Sequence, residues 1–329
     1  MVARALTDEE FAAAWEACNG SPQAVMAATG LKERSVYKRR AAMAERGTVL
    51  HTADWTPGTI GNPARRWSPL AMTPAHRFHL EVRDGVVLVF SDAHYWPNLV
   101  SVSHRALLVL IEELRPVTII ANGDLFDGAS ISRHPRKGWE QRPTVAQELE
   151  ACEERTGEIE TAADKIGCKD LIWNLGNHDA RFESHLSANV PGFEGVPGTT
   201  LPERFPRWQF SVSTVINAGS DHPVVCKHQY HQGVHAAYNN TLKAGVSMVT
   251  SHLHRLTVAT WGDYRGRRYG IDTGCLANPF GPQFTYTEDA PSPHGEGFAV
   301  LTFKDGRLQP PELVEVVDGV AVFRGAEIA

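Results

Sequence analysis

Val117-Thr118-Ile119-Ile120-Ala121-Asn122-Gly123-Asp124-Leu125-Phe126-Asp127 runs from an apolar strand straight into a glycine and two carboxylates. The first five residues read as a buried strand. A glycine directly before an acid marks a place where the chain turns sharply and the backbone must approach a neighbour closely. The same arrangement recurs on both sides of this stretch. Val86–Phe90 leads into Ser91-Asp92-Ala93-His94, and Leu171–Leu175 into Gly176-Asn177-His178-Asp179. Val224–Lys227 leads into His228, and Ser247–Thr250 into Ser251-His252-Leu253-His254. Helical patterns at His104–Leu114, Thr144–Ile166 and Ala236–Lys243 lie between several of these runs. That alternation reads as an α/β domain. Ligands of open α/β sheets bind outside the carboxyl ends of the strands, so five strand ends are expected to converge on one point.

The residues at those ends suit metal chemistry, because imidazole and carboxylate bind first-row divalent ions. Asp92 and His94, like His252 and His254, are two residues apart, and on an extended backbone such side chains share a side. Both members of each pair are therefore expected to reach one centre. A carboxylate has two oxygens and can bridge two cations, which suits Asp124. Asn177 offers a neutral carbonyl oxygen.

The series Asp-x-His, Gly-Asp-x-x-Asp, Gly-Asn-His-Asp, His and x-His-x-His, in that order from 92 to 254, resembles the calcineurin-like metallophosphoesterase superfamily. One position departs from it: Ser251 stands where the family usually has glycine. The single-histidine motif has three neighbouring candidates, His228, His231 and His235; His228 directly ends the apolar run and is preferred. The resemblance implies a sandwich of two mixed β-sheets flanked by helices. It implies that Asp92, His94 and His254 hold one divalent metal, that Asn177, His228 and His252 hold the other, and that Asp124 bridges them. His178 would face the substrate, with Asp179 orienting its ring. Phosphoester hydrolysis would follow from a water activated between the cations, with manganese expected and iron or zinc also suited to the donors. For Asp127 and Asp179, a capping or loop hydrogen-bonding role is equally open.

The loop after Asp127, residues 128–142, is the most basic of this domain. It carries Arg133, His134, Arg136, Lys137 and Arg142 against Glu140. Either Arg133 and His134 contact substrate phosphate, with Arg181 in a similar position, or the loop is a solvated charged one. Trp139 either stacks on a base or anchors the loop.

Residues 1–46 read as three helices, Leu6–Cys18, Pro22–Ala28 and Lys32–Arg46, with Thr7 and Glu10 as a capping box. The run from Val25 to Arg40 resembles a helix-turn-helix, with Gly30 at the turn. The third helix holds Lys32, Arg34, Lys38, Arg39, Arg40 and Arg46 against Glu33 and Glu45. Such a helix can enter a DNA groove, or the bundle can serve oligomerisation or docking. Residues 47–76, with four prolines and two glycines between 57 and 74, read as a linker, which leaves 77–329 as the catalytic domain. The tail reads as antiparallel hairpins turning at Asp305-Gly306 and Asp318-Gly319. Joined to a phosphoesterase, an N-terminal helix-turn-helix resembles phage and prophage proteins, and Gly123–Asp127 resembles the matching motif of DNA-repair exonucleases. A phosphodiesterase or nuclease acting on DNA or nucleotides is therefore expected, with a phosphomonoesterase as the alternative.

The net charge of −6 confines any nucleic-acid contact to local patches. Five scattered cysteines give no disulfide framework, and the N-terminus turns acidic at once, which fits a cytoplasmic setting. No apolar run is long enough to span a membrane. Oligomeric state is not readable.

Overall fold

The computed structural model describes residues 6–18, 21–46, 48, 50, 77–136, 138–289 and 292–329. They form two units, divided within residues 51–76. The predicted linker therefore lies outside the described residues, except for Thr48 and Leu50.

The first unit is three helices: α1 (Asp8–Ala17), α2 (Pro22–Thr29) and α3 (Glu33–Glu45). Thr7 and Glu10 form the expected capping box, and Gly30 ends α2 at φ 71°, which a glycine adopts without strain. Phe11, Trp15, Val25, Val36, Met43 and Leu50 make its core.

The second unit begins with β1 (Phe78–Leu80), β2 (Gly85–Phe90), α4 (Val102–Leu114), β3 (Thr118–Ala121), α5 (Val145–Ile166), β4 (Asp170–Asn174), α6 (Asp179–Asn189) and α7 (Leu201–Arg204). Then come β5 (Gln209–Ser211), β6 (Thr214–Ile216), β7 (Val224–Cys226), α8 (Ala236–Ala244), β8 (Ser247–Thr250), β9 (Leu256–Asp263) and β10 (Gly266–Thr273). The chain finishes on β11 (Gly297–Lys304), β12 (Arg307–Leu308), β13 (Glu312–Val317), β14 (Val320–Phe323) and β15 (Ala326–Glu327). These make two mixed sheets. One has the order β15-β14-β13-β11-β2-β3-β4-β5, with β12 on β11, and the other β1-β6-β7-β8-β10-β9.

Side-chain alternation explains the layers. In β2, Leu88 and Phe90 join the cluster shared with α4 and α5, whereas Val87 and Val89 join the cluster shared with the smaller sheet. In β3, Ile119 and Ala121 face the first and Ile120 the second. Both faces of these strands are covered, so they read as unbroken apolar runs rather than alternating ones. β2, β3 and β4 are parallel, as are β7 and β8, which brings their carboxyl ends together in each sheet. Among the described residues no helix is long and apolar enough to cross a membrane.

Candidate metal centre

Two sheets, not one, supply the five strand ends. The turns after β2, β3 and β4 bring Asp92, His94, Asp124 and Asn177; those after β7 and β8 bring His228, His252 and His254. Asp92, His94 and His254 place one donor atom each within 4.8 Å of one another, and so do Asp124, His228 and His252. Asp92 Oδ1 lies 3.1 Å from His254 Nε2, 3.9 Å from His94 Nε2 and 4.0 Å from His228 Nε2, so the two sets adjoin. Asp124 Oδ2 lies 3.0 Å from His228 Nε2.

The pairs do not reach the pocket on extended backbone, as their spacing suggested. Asp92, His94, Asp124, His252 and His254 all have positive φ, between 38° and 74°. Left-handed backbone costs a non-glycine residue roughly 1–2 kcal/mol, and such strain gathers where a site dictates the geometry. Each donor sits in a tight turn that leaves its strand at once. The glycines make room: a Cβ on Gly123 would lie 2.5 Å from His228 Nδ1, and one on Gly176 would lie 2.0 Å from Asp124 Oδ1.

The donors fit two cations. Asn177 Oδ1, His94 Nε2, His228 Nε2 and His254 Nδ1 are buried with no hydrogen-bond partner. Groups left so normally cost about 1–3 kcal/mol each. His228 donates from Nδ1 to the Asn122 carbonyl (2.8 Å), so Nε2 is the ring nitrogen turned toward Asp124 and the pocket. His94 Nδ1 is likewise fixed on Asp127 Oδ1 (2.9 Å). Burial pushes the Asp124 carboxyl up, but the facing His228 and His178 overcome this and hold it well below the usual range. Burial depresses His228, and the Asp124 and Asp92 carboxylates overcome that and lift it to about 10. The carboxylates and imidazoles offset one another's charge, and divalent ions held by the same groups would take the place of the protons they share.

His178 stands at the rim, in contact with both sets. Its Nδ1 donates to Asp127 Oδ1 (2.8 Å) and to the Asp127 carbonyl (3.0 Å). Asp179 does not orient that ring; of the two roles open from sequence it takes the loop hydrogen-bonding one. Its carboxylate accepts the backbone N–H of Gly176, Asp124, Leu125 and Phe126 and the Trp173 indole. It ties the turns after β3 and β4 together, and Asp127 positions His178 instead. Arg181, on the first turn of α6, donates to the Asp127 carbonyl (2.9 Å) and to His178 Nε2 (2.9 Å).

A cavity of about 370 Å³ opens over the centre. Of the three residues expected to meet substrate phosphate, His134 and Arg181 line it, and Arg133 is exposed and off its wall. Arg142 lines it too, yet is committed to Glu140 and to the carbonyls of Ala129, His134 and Pro135. The opposite wall, Pro282–Thr287, was not foreseen; it brings Gln283, Phe284 and Tyr286. No motif marks that segment, which reaches the site only because β10 and β11 neighbour the ligand-bearing strands.

A family model, calcineurin-like phosphoesterase, matches residues 85–255, just over half of the chain and all seven residues expected to hold metal. Among solved structures the chain is similar to wild-type Vps29 of Entamoeba histolytica complexed with Zn²⁺, at 14% identity and a TM-score of 0.40, covering 74% of this chain and 99% of that one. It is similar to YfcE, a phosphoesterase from E. coli, at 13% identity and 0.35, covering 74% and 97%. It is also similar to the Thermotoga maritima protein TM1076, at 12% and 0.33, covering 70% and 99%. Curated proteins gave no match. The chain belongs to the calcineurin-like phosphoesterase family and is a metal-dependent phosphoester hydrolase.

Proposed function

We propose that this hydrolase cleaves phosphodiesters of nucleic acids or nucleotides, with Asp92, His94 and His254 holding one divalent cation, Asn177, His228 and His252 the other, and Asp124 shared. When bound, the cations lower the pKa of a water toward neutrality and offset charge on the phosphoryl oxygens. Manganese is the pair we propose; iron and zinc suit the same nitrogen–oxygen set. The observation that carries the reading is the pair of adjoining clusters, Asp92–His94–His254 and Asp124–His228–His252, gathered beneath an open cavity.

The chain's own groups do the rest. His178 is held through Nδ1 by Asp127, and its Nε2, once protonated and released from Arg181, can bond the leaving oxygen and deliver that proton. Arg181 carries the guanidinium nearest to it, placed to bond a phosphate oxygen once the substrate displaces His178 Nε2. Apart from the metals, this is a modest positive charge. Arg142 is offset by Glu140, so Arg181 stands nearly alone on the wall. That balance favours the single charge of a diester over the double charge of a monoester. Exposed Lys32, Arg34 and Lys38 on and before α3 are proposed to recruit nucleic acid.

Full-length protein reconstituted with Mn²⁺ should turn over methyl p-nitrophenyl phosphate at a higher kcat/KM than p-nitrophenyl phosphate. A clear preference for the monoester overturns the diester assignment and leaves the phosphatase reading in its place.

A further inference from the structure

A second cavity, of about 280 Å³, adjoins the first and shares Trp96, Pro282 and Gln283 with it. Nothing in the hydrolytic scheme uses it. Its floor includes Ala93 and Tyr95, the neighbours of the donor His94, so its contents would lie beside the reacting phosphate.

Its walls are unusual for a surface. Phe280 is 96% exposed, and Leu99 and Val100 are exposed beside it. Apolar side chains gathered on a solvent face mark a binding surface more often than scattered ones do. Trp96 separates the two cavities, and its indole N–H has no partner among the described residues. Gln283 adds the complementary group. Its Nε2 donates to the His94 carbonyl (2.9 Å), which can only accept, so the amide orientation is fixed. Its Oε1 is then a buried acceptor with no donor facing it. A ligand for this place has two flat apolar faces, an N–H on its edge and an acceptor for the indole. It is also attached to a phosphate.

We infer that the Trp96–Phe280 cavity is a subsite for a nucleobase joined to the scissile phosphate. The inference rests on the nucleotide-ester reading and narrows it. The base stacks on exposed Phe280 and half-buried Trp96, where every base has a π-face to offer, with its edge on the side of Gln283. Stacking requires an unpaired base, so the substrate is a single strand or a nucleotide ester rather than an intact duplex.

The test compares inhibition of the Mn²⁺-loaded full chain by nucleoside 5′- and 3′-monophosphates with that by the matching sugar phosphates lacking the base. The reporter is whichever p-nitrophenyl ester is hydrolysed. The diester assignment therefore stands or falls on turnover, and the subsite on inhibition. The base should lower Ki about tenfold, and Phe280→Ala should bring the nucleotide's Ki to that of the sugar phosphate. Trp96→Phe, which keeps a ring, should retain most of the advantage that Trp96→Ala loses. Tyr264→Ala, an exposed ring in the β9–β10 turn, should change neither constant. Equal Ki with and without the base in the unaltered protein overturns the proposal and leaves the cavity to an apolar side chain of some other molecule. A base advantage that survives both Phe280→Ala and Trp96→Ala places the base elsewhere and overturns it too.

Discussion

Asp127 holds two imidazoles with a single oxygen, His94 at 2.9 Å and His178 at 2.8 Å, and so ties the proposed metal holder to the proposed proton donor. His178→Ala should lower kcat by roughly 10²–10⁴, the usual worth of positioned proton transfer, with two metals still bound by elemental analysis; a lost metal would contradict its place outside the donor set. Asp127→Ala should do both kinds of harm. His94 loses its one orienting partner, and metal affinity should fall about 10–100-fold. His178 keeps the Asp127 carbonyl, so part of its effect remains. Ser251, the departure from the family's glycine, is anchored in this chain. Its hydroxyl accepts from Asn122 Nδ2 (2.7 Å) and donates to the Asn122 carbonyl (3.1 Å), the same oxygen that fixes His228. Ser251→Gly strands a buried amide donor at a cost of about 1–3 kcal/mol and loosens the His228 anchor. Both the melting temperature of the metal-free protein and its Mn²⁺ affinity should drop, and an unchanged affinity would show that the hydroxyl only fills space. The residues of the two clusters were legible in sequence because they follow apolar runs closely. The partner of His178 was not. Asp127 and Asp179 each lie in a turn next to His178, and which of them meets the ring is set by the approach of the turns after β3 and β4, which no linear spacing encodes.

At the level of elements, the loop over the site hangs on α5. Thr144 and Gln147 cap that helix reciprocally, and Glu148 in its first turn accepts the Ala129 N–H (3.0 Å). Its other oxygen, Oε2, is buried with no partner. Burial pushes the Glu148 carboxyl up to about 8. A carboxyl raised on folding binds its proton more tightly in the native state, so stability declines as pH climbs from the unfolded value, about 4.3, toward 8. Glu148→Gln keeps the acceptor for Ala129 and carries no charge. It should therefore be near neutral at pH 5 and stabilising at pH 8.5 by at least about 1 kcal/mol, or roughly 2–4 °C in Tm. A Tm difference independent of pH would mean that the glutamate is not protonated as buried. Strands with both faces covered, β2, β3, β4, β7 and β8, announced themselves as apolar runs. The β9–β10 hairpin did not. β9 is an edge strand with exposed Thr257 and Thr260, and β10 carries Arg267 and Arg268, so no continuous apolar signal exists. β1, β5 and β6 have three residues each, too few for periodicity to register. α6 passed unnoticed because Phe182 is its only buried apolar residue.

On the scale of the whole chain, a net charge of −6 means that attraction to a polyanion must come from patches. The third-helix region supplies less than its composition promised. Arg39 and Arg46 both pair with Asp8, while Arg40 donates to the Leu50 carbonyl and lies over the Trp15 ring. Half of the six cations therefore hold the three-helix unit together. Lys32, Arg34 and Lys38 remain exposed, with half-exposed Tyr37 among them. If these three contact phosphates, each releases counterions, and each steepens the fall of log K with log salt by about 0.7–0.9. Replacing all three by alanine should flatten that slope by roughly 2–3 for an oligonucleotide. Since their side chains form no part of the Phe11–Trp15–Val36 core, the melting temperature should hold. Turnover of the small methyl diester should also be untouched, because it needs no recruitment. Arg40→Ala should behave in the opposite way, lowering Tm with little change in slope. A triple variant with the parent's salt dependence would show that α3 presents its charge to water alone, and that the catalytic unit finds its substrate without help from the N-terminal helices.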